Sequence, residues 1–399
     1  MSAAMGPSSS RTAQMLRRRW LWAGLAEGLA LAGVVAWGSA AAGPLASPLP
    51  SPSDPPGRAA PEDVTPSVGT ETARPARPSD TAARRPPAPP VPPRPVIVHA
   101  VGDCALGDLH DVAGAPGSFA AVVAAASNRH DYPFSGVFDL FRHDDLTVAN
   151  LEGTFAAPHR RRKKGGFAIR GVPGDAAMLV RGGVDIVDLA NNHTQDYGPG
   201  GYDDTVAALD RAGVGYFGGA VIDRRTIRGV EVVNLGYLGG HPRVKQGMVN
   251  AVRREAGPRN IVIVSFHWGM EGSHVTHPLQ RALGRAAVDA GADLVLGHHP
   301  HVVQGIERYR GRPIVYSLGN FVFGANSQPA DRDAFIYRAR FDITGSGEVG
   351  GVTGEVIPVS MTSDPRRNDF RPRLLQGVAA DRVRKKIDAL SARLRDPAT

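Results

Sequence analysis

Residues 290–305 read AGADLVLGHHPHVVQG, and this stretch decides the class of fold. Its short apolar run, Asp293 to Leu296, reads as a buried strand. Before it, Pro278 to Gly291 carries apolar residues at helical spacing. After it come three imidazoles within four positions, His298, His299 and His301. Helix, buried strand and polar loop in succession form the repeating unit of an α/β sheet. In such sheets ligands bind outside the carboxyl ends of the strands, where loops converge and backbone groups are free. The histidine triplet stands at such an end, and packing explains it least readily of all the polar groups.

The same unit repeats outward in both directions. Val96 to Val101, Leu146 to Asn150, Val184 to Leu189, Ile261 to Phe266 and Pro313 to Ser317 read as strands. Ser118 to Ser127, Asp175 to Arg181 and Gly200 to Ala212 have helical spacing. Phe335 to Ile343 and Gly351 to Val359 read as further strands that finish the domain antiparallel, and a basic amphipathic helix is expected near Val378 to Leu394. The unusual polar residues again follow strands: Gly102-Asp103, Asn150-Leu151-Glu152, Asn191-Asn192-His193 with Asp196, and His267-Trp268-Gly269 with Glu271.

Taken singly, most of these have a bland reading. Asp103 suits a turn or helix cap. Asn150 and Glu152 suit hydrogen bonding at a sheet end. His267 beside Trp268 suits a packed aromatic pair. Together they bring carboxylate, amide and imidazole to one rim, the mixture that holds divalent Mn, Fe or Zn. Two such cations about 3.5–4 Å apart clamp a phosphoryl centre, activate a bridging water and neutralise charge on the leaving oxygen. A histidine just beyond the ligands would protonate the leaving group. Glu271 suits orienting His267 or ligating a metal better than acting as a nucleophile.

These residues resemble the CapA family of capsule synthesis proteins tied to poly-γ-glutamate. The resemblance is carried by the motifs above, by Gly297-His298-His299-Pro300-His301-Val302 with Gln304-Gly305 and Glu307, and by Tyr316-Ser317-Leu318-Gly319-Asn320-Phe321. It spans about Val96 to Pro358, in the family's order. That family is in turn similar to calcineurin-like metallophosphoesterases, which implies a two-sheet αββα sandwich with a dinuclear divalent metal site. Carried across, Asp103, Glu152, Asn192, His267, His299 and His301 would be the metal ligands. Asn150 and His298 are weaker candidates. His193 would be the general acid and Glu271 a further catalytic candidate. The phosphoesterases usually place a histidine two residues after the first aspartate; this chain has Ala105. Asn150-Leu151-Glu152 replaces their second carboxylate motif.

Outside this body the chain changes character. Arg11 and Arg17 to Arg19 precede an apolar stretch, Trp20 to Ala42, long enough to cross a bilayer as a helix. Residues 1–42 therefore read as an export segment: a signal peptide cut at Ala40-Ala41-Ala42, or an uncleaved anchor. From 43 to 95, 17 of the 33 prolines occur with hardly any large apolar side chain. Such a segment buries too little surface to offset its ordering entropy and reads as a disordered linker. Everything beyond the leader is expected outside the cytoplasm, membrane-anchored or secreted. Residues 96–362 form the expected domain, and 363–399 a basic extension with one helix.

One cysteine, Cys104, excludes an internal disulfide, and it reads as a buried structural thiol. The net charge of +8 favours anionic partners without choosing among them. The run Arg160, Arg161, Arg162, Lys163 and Lys164 is either a solvated loop or a rim element that draws in a polyanion. Two functions remain open. One is an exported metal-dependent hydrolase-like component of poly-γ-glutamate or related envelope polymer synthesis, acting on the anionic polymer or a phosphorylated envelope intermediate. The other is a noncatalytic subunit that grips a polyanion for anchoring or export. Other membrane-bound polymer synthesis subunits are the expected partners, and nucleic acid is not.

Overall fold

The computed structural model describes residues 94–160, 162 and 167–395, all within one compact unit, Pro86–Thr399. The expected leader and nearly all of the proline-rich linker lie outside the described residues. No helix among the described residues is long and apolar enough to cross a membrane.

In chain order the strands begin β1 (Val96–Ala105), β2 (Asp108–Leu109), β3 (Leu146–Leu151), β4 (Thr154–Phe155), β5 (Ile169–Gly171), β6 (Ile186–Asp188), β7 (Gly215–Phe217), β8 (Asp223–Ile227) and β9 (Val230–Leu238). They continue with β10 (Asn260–His267), β11 (Leu294–His298), β12 (Ile306–Tyr309), β13 (Arg312–Val315), β14 (Asn320–Phe323), β15 (Asp333–Ile343), β16 (Val349–Ser360) and β17 (Arg373–Leu374). The α-helices are α1 (Phe119–Ala124), α2 (Phe138–Phe141), α3 (Ala177–Gly182), α4 (Gly198–Ala212), α5 (Val244–Glu255), α6 (Pro278–Ala290) and α7 (Gly377–Arg393).

The strands form two large sheets, as the family resemblance implies; the alternation of strands and helices by itself does not set their number. The first runs β17-β16-β15-β1-β3-β6-β7, with β14 also on β1, and the second runs β12-β13-β11-β10-β9-β8. A third, small sheet joins β2, β5 and β4. The strands β1, β3, β6 and β7 are parallel, as are β9, β10, β11 and β13. The expected antiparallel finish is present in β15 and β16.

The sheets pack face to face. Val96, Val98, Leu146, Val148 and Ile186 of the first meet Val230, Val232, Ile261, Ile263, Leu294 and Leu296 of the second in one buried cluster. Alternation along each strand sends the intervening side chains outward. Ala149, Leu151, Val187 and Leu189 thus pack with Phe119, Leu179 and Leu209 of the helices on one side. Val233, Leu235, Val262, Val264 and Val295 pack with Met248, Val252, Leu283 and Ala287 on the other. The layers are helix, sheet, sheet, helix. Each fully buried aliphatic side chain contributes about 1.5–3 kcal/mol, and the inter-sheet layer holds many of them.

One irregularity positions the chemistry. Between Ala100↔Val148 and Asp103↔Asn150, β1 spends three residues against two on β3. That bulge reverses the alternation of β1, so Asp103 and Ala100 face the same side. Cys104 then points into the outer core, as expected for a structural thiol, and burial pushes its pKa up to about 12.

Candidate metal centre

The carboxyl ends of β1, β3 and β6 from one sheet and β10 and β11 from the other meet along one rim. The inter-sheet layer is aliphatic deep down and turns polar toward that rim: Val148 gives way to Asn150, Ile186 to Asp188, Ile263 to Ser265 and His267, and Leu296 to His298. Asp103, Asn150 and Glu152 are fully buried, His267 is 1% exposed and His298 is 2% exposed. Charged groups are found so deep only when hydrogen-bonded, paired or metal-bound.

Asp103 is the hub. Its Oδ1 accepts from Asn150 Nδ2 at 2.9 Å and lies 3.1 Å from His298 Nδ1. Its Oδ2 accepts from the His299 backbone N–H at 3.1 Å and lies 3.2 Å from His301 Nδ1. Burial alone would raise its pKa; the hydrogen bonds and charges of His298 and His301 prevail and hold it well below the usual carboxylate range.

Glu152 faces the same space. His301 Nε2, His267 Nε2 and His193 Nε2 lie 3.5, 3.8 and 3.9 Å from its Oε1. That oxygen is buried without a hydrogen-bond partner, as is His299 Nδ1. Burial pushes Glu152 up to about 8, Asp103 adding to the rise and His301 opposing it. Burial would lower His301, but the adjoining Glu152 and Asp103 carboxylates push it up to about 10. Burial and the neighbouring His301 bring His299 down to about 4. His267 falls well below its ordinary value through burial first and His299 second.

Three donor sets follow, each with ligand atoms within 4.8 Å of one another: Asp103, Glu152 and His301; Glu152, His267 and His299; Glu271, His299 and His301. Five of the six expected ligands and Glu271 are thus drawn together. The sixth, Asn192, is exposed but directs Oδ1 to within 2.7 Å of His267 Nε2. The imidazole and carboxylate mixture suits divalent Mn, Fe or Zn, and the orphaned buried atoms face the shared space a cation would occupy. His299 and His301 hold positive φ angles of 95° and 58°. Such backbone is uncommon for side chains other than glycine's, and it clusters at functional sites.

His193 stands at the edge. Its Nδ1 is 2.8 Å from Asp196 Oδ2, the same oxygen that accepts from the Ile169 N–H at 2.7 Å. Burial lowers its pKa, but Asp196 and Glu152 together raise it above the ordinary value. Trp268 lies apart from this chemistry: it stacks on Phe266 at 4.4 Å and donates to Tyr316 O. In the basic run, Arg160 forms two 2.8 Å hydrogen bonds to Asp204, and Arg162 lies 3.2 Å from Asp111. Arg161, Lys163 and Lys164 lie outside the described residues.

Two supporting residues escaped the motif-based site assignment. Asn320 opens β14 opposite Asp103, and its Oδ1 lies 2.9 Å from His301 Nδ1. Its place in Ser317-Leu318-Gly319-Asn320 was the available signal. Asp188 is fully buried, and burial pushes it up to about 7. Only its charge inside an apolar strand marked it.

Compared with known families, residues 97–325 match the model of the bacterial capsule synthesis protein PGA_cap, more than half of the chain. The chain belongs to this family. The PGA_cap chain is 30% identical over 221 residues to the capsule biosynthesis protein CapA of Bacillus anthracis, covering 48% of this chain and 54% of that protein. It is 30% identical over 258 residues to the PGA biosynthesis protein CapA of Bacillus subtilis, covering 58% and 65%. A probable polyglutamine synthesis accessory protein of Mycobacterium tuberculosis is 30% identical over 211 residues, covering 45% and 55%. The PGA_cap chain thus spans between about half and two thirds of these curated relatives. Among solved structures, a 5'-nucleotidase precursor from Thermus thermophilus aligns with a TM-score of 0.40 and 12% identity, over 75% of this chain and 59% of that one.

Proposed function

We propose that this protein is an exported, metal-dependent, hydrolase-like component of poly-γ-glutamate or related envelope polymer synthesis, acting on a phosphorylated intermediate or on the anionic polymer. On this reading the four layers are those of a calcineurin-like metallophosphoesterase sandwich, and the leader and proline-rich linker hold the body outside the cytoplasm. The relatives involved in capsule and poly-glutamate synthesis support the setting; other membrane-bound synthesis subunits are the partners it implies.

The observation that carries the chemistry is the overlap of the three donor sets through Glu152, His299 and His301. Overlapping sets would suit two divalent cations that draw on common donors. Asp103, Glu152, Asn192, His267, His299 and His301 would hold them, with Glu271 at the open edge. When bound, such ions polarise a phosphoryl oxygen and lower the pKa of water. The chain's own groups do the rest. Asp196 fixes the His193 ring through Nδ1 and leaves Nε2 toward the site, where a raised pKa keeps a proton ready for a leaving oxygen. Ala105 and the Asn150-Leu151-Glu152 substitution set this donor set apart from that of the phosphoesterases.

The test is metal analysis of the full chain with phosphomonoester and phosphodiester hydrolysis. Bound divalent metal is expected, lost together with hydrolysis in Asp103→Ala and His299→Ala; a chain that binds no metal would exclude this reading. The polyanion-gripping alternative is less well supported, because the described arginines of the basic run already have carboxylate partners.

A further inference from the structure

Behind the metal donors, the polar end of the inter-sheet layer leaves four buried atoms without hydrogen-bond partners: Asp188 Oδ2, Asn234 Oδ1, Ser265 Oγ and His298 Nε2. They come from four strands, β6, β9, β10 and β11, and none is a metal donor in the centre described above. Buried polar atoms of native proteins are overwhelmingly satisfied, so such a group calls for ordered water.

The register brings them together. Asp188 ends β6 and reaches across to the second sheet: a Cβ on Gly236 would lie 2.1 Å from Asp188 Oδ1 and 3.0 Å from Oδ2. Gly236 is therefore what admits the carboxylate between the sheets. On that sheet Gly236 pairs with Ser265, and Ser265 pairs with Leu296, two residues before His298 on the same face. Asn234 precedes Gly236 by two residues on β9 and faces the same layer, but one row farther from the rim and two strands from His298. Asp188 feels the charge of His298 without a direct hydrogen bond to it.

The two oxygens of Asp188 have separate duties. Oδ1 accepts from the Ala190 N–H at 2.8 Å and so fixes the turn that leads into Asn191, Asn192 and His193. Oδ2 is the free one. His298 is divided in the same way: Nδ1 lies 3.1 Å from Asp103 Oδ1, and Nε2 is free. An ionised carboxylate only accepts, so the Nδ1 proton belongs to the contact with Asp103.

We propose that Asp188 is a positioning residue of the metal centre, joined to His298 Nε2 through ordered water shared with Ser265. The proposal rests on the metal reading of the Asp103 cluster. A buried water typically makes two to four hydrogen bonds; here it would donate to Asp188 Oδ2 and to His298 Nε2 and accept from the Ser265 hydroxyl. The chain of contacts Asp188, water, His298, Asp103 sets the ring orientation and tautomer of His298 and thereby the direction of the Asp103 carboxylate. Outer partners of this kind govern metal affinity without touching the metal.

The test compares Asp188→Leu and Asp188→Asn in the full chain, by calorimetric titration with Mn²⁺ and by thermal melting in chelator. Leu should weaken Mn²⁺ binding about 10- to 100-fold, the range for loss of an outer partner. Its melting temperature in chelator should fall by no more than a few degrees, because the Oδ1 bond to the Ala190 N–H is lost while an incompletely paired buried carboxylate is removed. Asn, which keeps a buried oxygen, should recover most of the affinity. A Leu variant that melts far below wild type in chelator while losing affinity would mark a merely structural carboxylate and overturn the proposal, as would wild-type affinity in the Leu variant. A high-resolution crystal structure of the wild type provides an independent reading. It should show water within hydrogen-bond reach of both Asp188 Oδ2 and His298 Nε2; empty space or a metal ion there would also overturn it. Failure of the wild type to bind Mn²⁺ would sink the functional reading instead, and the crystallographic water would still decide the link between Asp188 and His298.

Discussion

At the scale of single residues, the charge balance turns on Glu152 and His301. Both hold protons to higher pH than usual, Glu152 because it is buried and His301 because two carboxylates adjoin it. A cation bound there needs Glu152 ionised and His301 neutral, so it competes with those protons. The sign follows directly: affinity should rise with pH, most steeply below about 8, more gently between about 8 and about 10, and level off above. Calorimetry in buffers of different ionisation enthalpy should register net proton release. Flat affinity across that range would remove Glu152 and His301 from the ligand set. Glu152→Gln keeps the shape and deletes the charge. It should cut metal affinity by more than the roughly 100-fold upper range for an outer partner, while the chelated protein melts no earlier than wild type. His193→Ala should behave oppositely, retaining metal and losing about 100-fold or more in turnover, as expected for a general acid. Equal loss of both quantities would make His193 a ligand. The residues that meet at the rim are legible in the sequence because each follows an apolar run at a strand end. Asn320 and Asp188 were not assigned, because their roles depend on neighbours from distant strands.

At the scale of elements, the bulge in β1 is the least legible feature and among the most consequential. A strand of regular alternation would turn Asp103 away from the sheet interface; one extra residue turns it in. Sequence pattern marks the apolar run but does not say which residue the partner strand skips. Gly102 lies inside that bulge, and a Cβ there would stand 1.8 Å from the Gly319 carbonyl oxygen. Because the obstacle is backbone, it cannot swing aside as a side chain would. Gly102→Ala should therefore cost about 1–3 kcal/mol, as overpacking does, and weaken metal binding by displacing Asp103. Gly351→Ala, where no heavy atom lies within 4 Å of the added carbon, is the matched control. It should stay within about 0.5 kcal/mol of wild type, as surface changes usually do. Urea unfolding of the two variants separates crowding at Gly102 from a general effect of replacing glycine in a strand. Equal midpoints would show that β1 relaxes around the added methyl.

At the scale of the whole molecule, apolar runs fixed where strands lie but not which sheet each joins. The central strands are buried on both faces, so alternation carries no label for the partner sheet. One end of the second sheet carries a weaker pattern: β8, β9 and α5 stand outside the expected elements, although β9 holds Val230, Val232, Val233 and Leu235 in the core. The same limit applies to the carboxyl-terminal region, whose basic composition suggests an appendage. Its helix α7 carries a buried stripe at Ala380, Val383, Ile387, Ser391 and Leu394, the spacing of a packed amphipathic helix. Val383 and Ile387 belong to the cluster between the sheets. Ser391 Oγ accepts from the Ile306 N–H at 2.8 Å, and Arg382 meets Asp333 with two 2.6 Å hydrogen bonds. The charges on α7 therefore serve in part to dock it, with Lys386 adding contacts to Asp331 and Asp333. Removing residues 372–399 should accordingly unfold more than a tail. Loss of two fully buried aliphatics alone amounts to about 3–6 kcal/mol at the usual burial value, and Asp333 would be left without its cations. That is a large fraction of the stability of an ordinary domain. The truncated chain is expected to melt far below wild type or to fail to accumulate as soluble protein, while Ile387→Ala in the full chain should cost about 2–5 kcal/mol and leave metal stoichiometry intact. Should the truncated chain melt with the full one, β17 and α7 are appendages after all, and the body ends with β16.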